Sequence, residues 1–116
     1  MNNDVDLGWE MPEEQKKEQD EEKRFLDLFD QWKSGTWFMS SASDIIAHPA
    51  CQEIIAMGEK MIPNMLNLLV YTTRYNTLVW ILFEITGENP VKPKHIGSIK
   101  NMAKDWIEWG KNKGLI

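Results

Sequence analysis

The chain predicts an all-α domain, a compact bundle of five or six helices, on three observations. Apolar residues recur at helical spacing in every apolar segment from Phe25 onwards. Gly58 and Gly87 stop two of these segments, and Pro49 and Pro63 fall near the starts of two. None of the segments sustains the two-residue alternation of a strand. At 116 residues the chain fits one domain with one core.

Residues 1 to about 11 lack periodicity and are expected to form a mobile tail. Pro12 suits a first helical turn, and Glu13 and Glu14 favour a helix N-terminus electrostatically. From Glu13 to Arg24 every side chain is polar or charged, so that stretch has no face to bury. Its helicity rests on propensity and on pairs such as Glu13–Lys17. The apolar stripe begins at Phe25 and continues through Leu28, Phe29 and Trp32. The predicted division is therefore a polar, acidic arm over 1–24 and a single helical domain over 25–116.

Ser34-Gly35 reads as the stop of this helix. In the loop from Thr36 to Ser43, Trp37, Phe38 and Met39 are expected to cover one end of the core. Ser41 and Asp44 have capping-box spacing ahead of Ile45-Ile46. The helix they start must be short, because His48 precedes Pro49 and is biased out of the α region.

Three helices then supply most of the core. Pro49 to Met57 carries Cys51, Ile54 and Ile55 on one stripe, and Glu59 to Tyr71 carries Ile62, Met65, Leu66 and Leu69. Thr77 to Thr86 repeats the spacing with Leu78, Ile81, Leu82 and Ile85. Val79, Trp80 and Phe83 fill its other faces, so this helix is expected at the centre. Thr86-Gly87-Glu88-Asn89-Pro90 ends it, with Gly87 suited to the left-handed position. A loop containing Pro90 and Pro93 leads to Ser98 as a cap. The last helix is expected to turn Ile99, Met102, Ala103, Trp106 and Ile107 inward until Gly110.

The stretch from Ile55-Ala56-Met57-Gly58 through Ile62-Pro63-Asn64-Met65-Leu66 to Leu69 resembles a HEAT-type repeat junction. That resemblance implies a central antiparallel helix pair. It spans residues 49 to 86, little more than one repeat, whereas solenoids need about three; the pair is expected inside a bundle. Over residues 32 to 110 the chain resembles a family of small bacterial helical proteins of unassigned function. The resemblance lies in Trp32, Ser40-Ser41, His48-Pro49, Ile54-Ile55, Met57-Gly58, Pro63, Leu66, Trp80, Ile85-Thr86-Gly87, Asn89-Pro90 and Trp106 through Trp109-Gly110. It implies a bacterial, all-helical protein and brings no activity with it.

The net charge of −5 is unevenly distributed. Residues 1–30 hold eleven acidic and four basic side chains, whereas 31–116 hold seven and nine. The acidity thus belongs to the arm, which solvates the protein or docks on a basic partner. One cysteine, Cys51, excludes an intramolecular disulfide and suits a reducing compartment. The start of the chain lacks a basic region leading into an apolar stretch, and the longest apolar run, Leu78 to Phe83, falls far short of the ~18 residues of a membrane span. A cytoplasmic protein without membrane association is the expectation.

Candidate chemistry is sparse. His48, His95 and Cys51 are the only nitrogen or thiol ligands, too few for a structural zinc site, and no metal or cofactor is expected. His48 instead suits the cap of the helix begun by Pro49. Cys51 could act as a nucleophile near a helix N-terminus, but it lacks an acidic orienting partner and a Gly-rich oxyanion loop, and buried thiols are common. Glu84 is the candidate buried or cleft carboxylate, since it sits in the most apolar helix; the alternative is a solvated edge. Trp109 lies at the edge of the last stripe and is a candidate contact residue, whereas Trp106 falls in the core. Lys92, Lys94, Lys100, Lys104, Lys111 and Lys113 form a modest basic patch. With only Arg24 and Arg74 in the chain, nucleic-acid binding is the weaker reading.

No catalytic set emerges. The function expected is a non-enzymatic intracellular protein-interaction module with a protein partner. Candidate contacts are Trp109, Glu84, Lys100 and Lys104. An antitoxin, immunity or adaptor protein of bacterial or mobile-element origin fits that character. The alternative is a small enzyme or ligand-binding protein with a pocket near Glu84, His48 and Trp80. Nothing in the sequence sets the oligomeric state.

Overall fold

The computed structural model describes residues 12–116, so the expected mobile tail lies outside the described residues. Six α-helices follow one another: α1 (Glu13–Thr36), α2 (Ala42–Ala47), α3 (Pro49–Met57), α4 (Ile62–Tyr71), α5 (Leu78–Thr86) and α6 (Ile99–Asn112). Short 3-10 turns at Glu59–Met61, Thr73–Tyr75 and Pro93–His95 join them, and no strand occurs among the described residues. The fold is the all-α bundle that the periodicity predicts.

In α1 the stripe Phe25, Leu28, Phe29 and Trp32 is buried, while Pro12 to Asp20 are exposed. One continuous helix thus carries both the polar stretch and the docked half. The expected Glu13–Lys17 pair is not formed among the described residues. The polar stretch is tied down at its far end instead. Glu21 meets Lys60 and Arg24 meets Glu53, linking α1 to the Glu59–Met61 turn and to α3. Lys60 holds the Glu21 carboxyl below its ordinary range.

Several local expectations are overturned by contacts from elsewhere in the chain. The first helix does not stop at Ser34-Gly35 but runs on to Thr36, whose hydroxyl donates to the Trp32 carbonyl at 2.6 Å. Gly35 serves a close approach instead, because a Cβ there would lie 2.3 Å from Nε2 of His48. Since α1 continues, Trp37 and Phe38 leave its end pointing outward, 79% and 64% exposed, and do not cover the core. Met39 alone turns back to pack. The capping box at Ser41 is absent: its hydroxyl pairs with that of Ser43 at 3.0 Å and makes no cap bond. The stop expected at Gly110 also fails. This residue is helical and lies against Leu66, whose Cδ1 would be 2.6 Å from a Cβ at that position.

Ser98 precedes α6 but its side chain makes no cap bond, whereas three other termini behave as their chemistry predicts. The imidazole Nδ1 of His48 accepts from the Ala50 amide at 3.1 Å, capping α3 ahead of Pro49. Gly58 and Gly87 take positive φ angles of 80° and 69°, as helix stops require. The two helices of the expected HEAT-like pair, α3 and α4, follow each other through the Glu59–Met61 turn. Each has a different main partner: α3 packs on α1, and α4 on α6, with α5 against both. The shared core is built from Trp32, Phe29, Ile54, Met65, Leu66, Ile81, Leu82 and Trp106.

Candidate functional site

Helix α5 is apolar nearly all round, yet the fold covers only part of it. Leu78, Val79, Ile81 and Leu82 are buried. Trp80 is half-buried, Phe83 is 46% exposed and Glu84 is exposed. Thr77, Trp80 and Glu84 recur at intervals of three and four, so they share one helix face, with Phe83 beside it. This face looks out between α2, the Asn89–Val91 loop and α6.

Two hollows run along that face and meet at Trp80. One, of about 300 Å³, is walled by Ile46, Trp80, Phe83, Val91 and Met102, with Glu84 and Asn89 supplying its polar groups. The other, of about 200 Å³, lies between Trp32, Trp37, Ile45 and Trp80, and Lys33 and Thr77 reach its edge. The Thr77 hydroxyl is buried and has no hydrogen-bond partner among the described residues. Beside it, Trp37 and Phe38 stack edge to face at 5.7 Å. Together these side chains make an aromatic surface at the open flank of the bundle.

The pocket expected near Glu84, His48 and Trp80 is only partly assembled. Glu84 and Trp80 share a hollow, but His48 does not line it, because its ring is spent against Gly35 and on the α3 cap. Trp109 borders a different hollow of about 270 Å³, with Glu59, Pro63, Thr86 and Glu88. Its indole packs edge to face on Trp106 at 5.1 Å and donates to Glu88 at 3.2 Å, and Lys113 stands 5.7 Å from its ring centre. Trp106 itself is buried, as expected. Lys100 and Lys104 are exposed, one turn apart on α6, and line neither hollow. The four candidate contact residues therefore do not form one site.

The lysine patch is partly neutralised within the chain. Lys92 binds Asp105 at 3.2 Å and Glu108 at 3.1 Å, and Lys113 lies 3.7 Å from Glu88. Asp105 is a buried carboxylate that sequence reasoning missed. It accepts from the Lys92 amide at 2.9 Å, from His95 Nδ1 at 2.7 Å and from the Lys92 ammonium. Burial pushes its carboxyl up, but these donors outweigh burial and bring it down from 3.8 to about 2. Its spacing from Met102 and Trp109, three and four residues, was the available signal: it stands on an inward row of α6. The cluster pins the Pro93–His95 turn to that helix.

Cys51 is fully buried, and burial, with a smaller push from the Glu84 charge, raises its thiol to about 11. It is held as a thiol at neutral pH, the reverse of an activated nucleophile. No group of three or more His, Cys, Asp or Glu side chains converges as metal ligands require, among the described residues. No described helix is long and apolar enough to cross a membrane. Comparison with family models, curated proteins and solved structures gives no match, so the reading of the site rests on its geometry.

Proposed function

We propose that this chain is a non-enzymatic protein-interaction module whose contact surface is the uncovered face of α5. The observation that carries this reading is the exposure of Trp37, Phe38 and Phe83 around the hollows that meet at Trp80. Contiguous exposed apolar surface costs solubility and marks contact sites, and aromatic side chains dominate the energetics of such contacts. A single carboxylate at Glu84 and a neutral buried thiol at Cys51 fit a recognition surface better than a reaction centre. Adaptor, antitoxin and immunity roles are all forms of this activity. The partial self-neutralisation of the lysines supports a protein partner over a nucleic acid.

The test is a photoreactive residue in place of Phe83, cross-linked in the native host. A discrete protein adduct from this position, lost when Trp80→Glu is added, supports the reading. An adduct pattern no different from that of a photoreactive residue at exposed Lys111 overturns it.

A further inference from the structure

The two charged side chains on the open face stand at its opposite ends. Lys33 reaches the hollow at the Thr77 end of α5, and Glu84 lines the hollow at the other end. Thr77 and Glu84 are seven residues apart, about 10 Å along the helix. Between the two charges lie only apolar or uncharged groups, with Trp80 at the midpoint, shared by both hollows. Neither Lys33 nor Glu84 has an ion-pair partner among the described residues.

A surface with one positive end, an apolar middle and one negative end is complementary to itself when rotated by half a turn. We propose that the occupant of this face is a second copy of the same chain, in a two-fold dimer whose axis passes close to Trp80. This inference rests on reading the α5 face as an interaction surface. In a two-fold contact each patch meets its own image, so every favourable pair occurs twice. Lys33 of each copy is set opposite Glu84 of the other. Trp80 meets its counterpart near the axis, and Phe83, with the Trp37–Phe38 pair, fills the opposing hollows. The dimer covers the one flank of α5 that the monomer leaves to water, which explains why a helix apolar all round carries exposed Phe83. A two-fold arrangement closes on itself, so this face is not left free to recruit a third copy.

Sedimentation equilibrium of the purified full-length chain tests this. The expected result is a concentration-dependent monomer–dimer equilibrium. Phe83→Glu should weaken it about tenfold or more, since it places a charge in the apolar middle. Lys33→Glu and Glu84→Lys should each weaken it, because each sets like charges together twice. The double variant Lys33→Glu/Glu84→Lys should restore the wild-type equilibrium to within about threefold, having exchanged the two ends. All these side chains are exposed, and circular dichroism melts verify that each variant folds.

A chain that stays monomeric at every concentration overturns the proposal, as does a dimer that ignores all of these substitutions. Loss without rescue in the double variant overturns the two-fold register. A monomer that dimerises only after residues 1–11 are removed also overturns it, by assigning the face to that segment. These failures remain distinct from failure of the interaction reading. A photo-adduct from position 83 to a different protein sinks the dimer and leaves the module standing.

Discussion

The imidazole of His48 lies against the backbone of Gly35, so close that a Cβ on Gly35 would fall 2.3 Å from Nε2. The same ring accepts from the Ala50 amide and caps α3. One contact therefore joins the last turn of α1 to the first turn of α3, the helix on which α1 chiefly packs. The helix propensity of Gly35 is poor, and its presence is explained by this approach.

Gly35→Ala should therefore destabilise the protein although alanine is the better helix former. Displacing the ring sacrifices the cap and disturbs packing, about 1–2 kcal/mol, against a propensity gain of up to ~1 kcal/mol. In a His48→Ala background the same substitution should become neutral or stabilising. Denaturant midpoints of the four proteins in this cycle measure the coupling, and its absence refutes the contact.

Trp32 is buried and donates from Nε1 to the Ile45 carbonyl at 2.8 Å, fastening α2 to α1. Trp32→Ala should cost on the order of 3 kcal/mol or more, from the cavity and the orphaned carbonyl. Trp32→Phe keeps much of the volume and should cost roughly 1–2 kcal/mol. Urea melts that rank the two variants in the opposite order would contradict this account.

Removing residues 1–20 should change stability by less than about 0.5 kcal/mol. Residues Pro12 to Asp20 are exposed, and the deletion spares the Glu21–Lys60 and Arg24–Glu53 pairs. A loss as large as that of Trp32→Ala would place the domain boundary earlier than Phe25.

Asp105 makes stability depend on acid. Its carboxyl titrates at about 2 in the folded chain against an ordinary 3.8. A depressed folded value means that the contribution is fully present above about 3.8 and is lost as pH falls towards 2. Asp105→Asn should cost about 1–3 kcal/mol at neutral pH, by weakening the bonds from His95 and Lys92. The gap between wild type and variant in thermal melts should narrow from pH 5 to pH 2. A gap that stays constant would show that the charge of Asp105 contributes nothing.

Cys51 should resist thiol reagents in the folded protein, being buried and held as a thiol with its titration raised to about 11. Labelling should proceed at the rate of unfolding and accelerate in denaturant. Rapid stoichiometric labelling of the native chain would mean that α3 opens locally.

Which segments form helices was determined by the sequence itself, because that choice rests on local terms. The stripe from Phe25 to Trp32, the positive-φ stops at Gly58 and Gly87 and the His48–Pro49 start of α3 are all short-range chemistry, legible from neighbours in the chain. Tertiary structure alone decided where partners from distant segments intervene. Gly35 and Gly110 have the composition of stops, yet both remain helical, because His48 and Leu66 need the space that a side chain would take. Trp37 and Phe38 looked like core, and the continuation of α1 to Thr36 sent them into solvent. Asp105 takes its role only from tertiary structure, where the Pro93–His95 turn folds over α6 and surrounds it with donors. The open face of α5 belongs to this second group. Periodicity measures how apolar a helix is, and only the packing of the other helices decides which of its apolar faces is left uncovered.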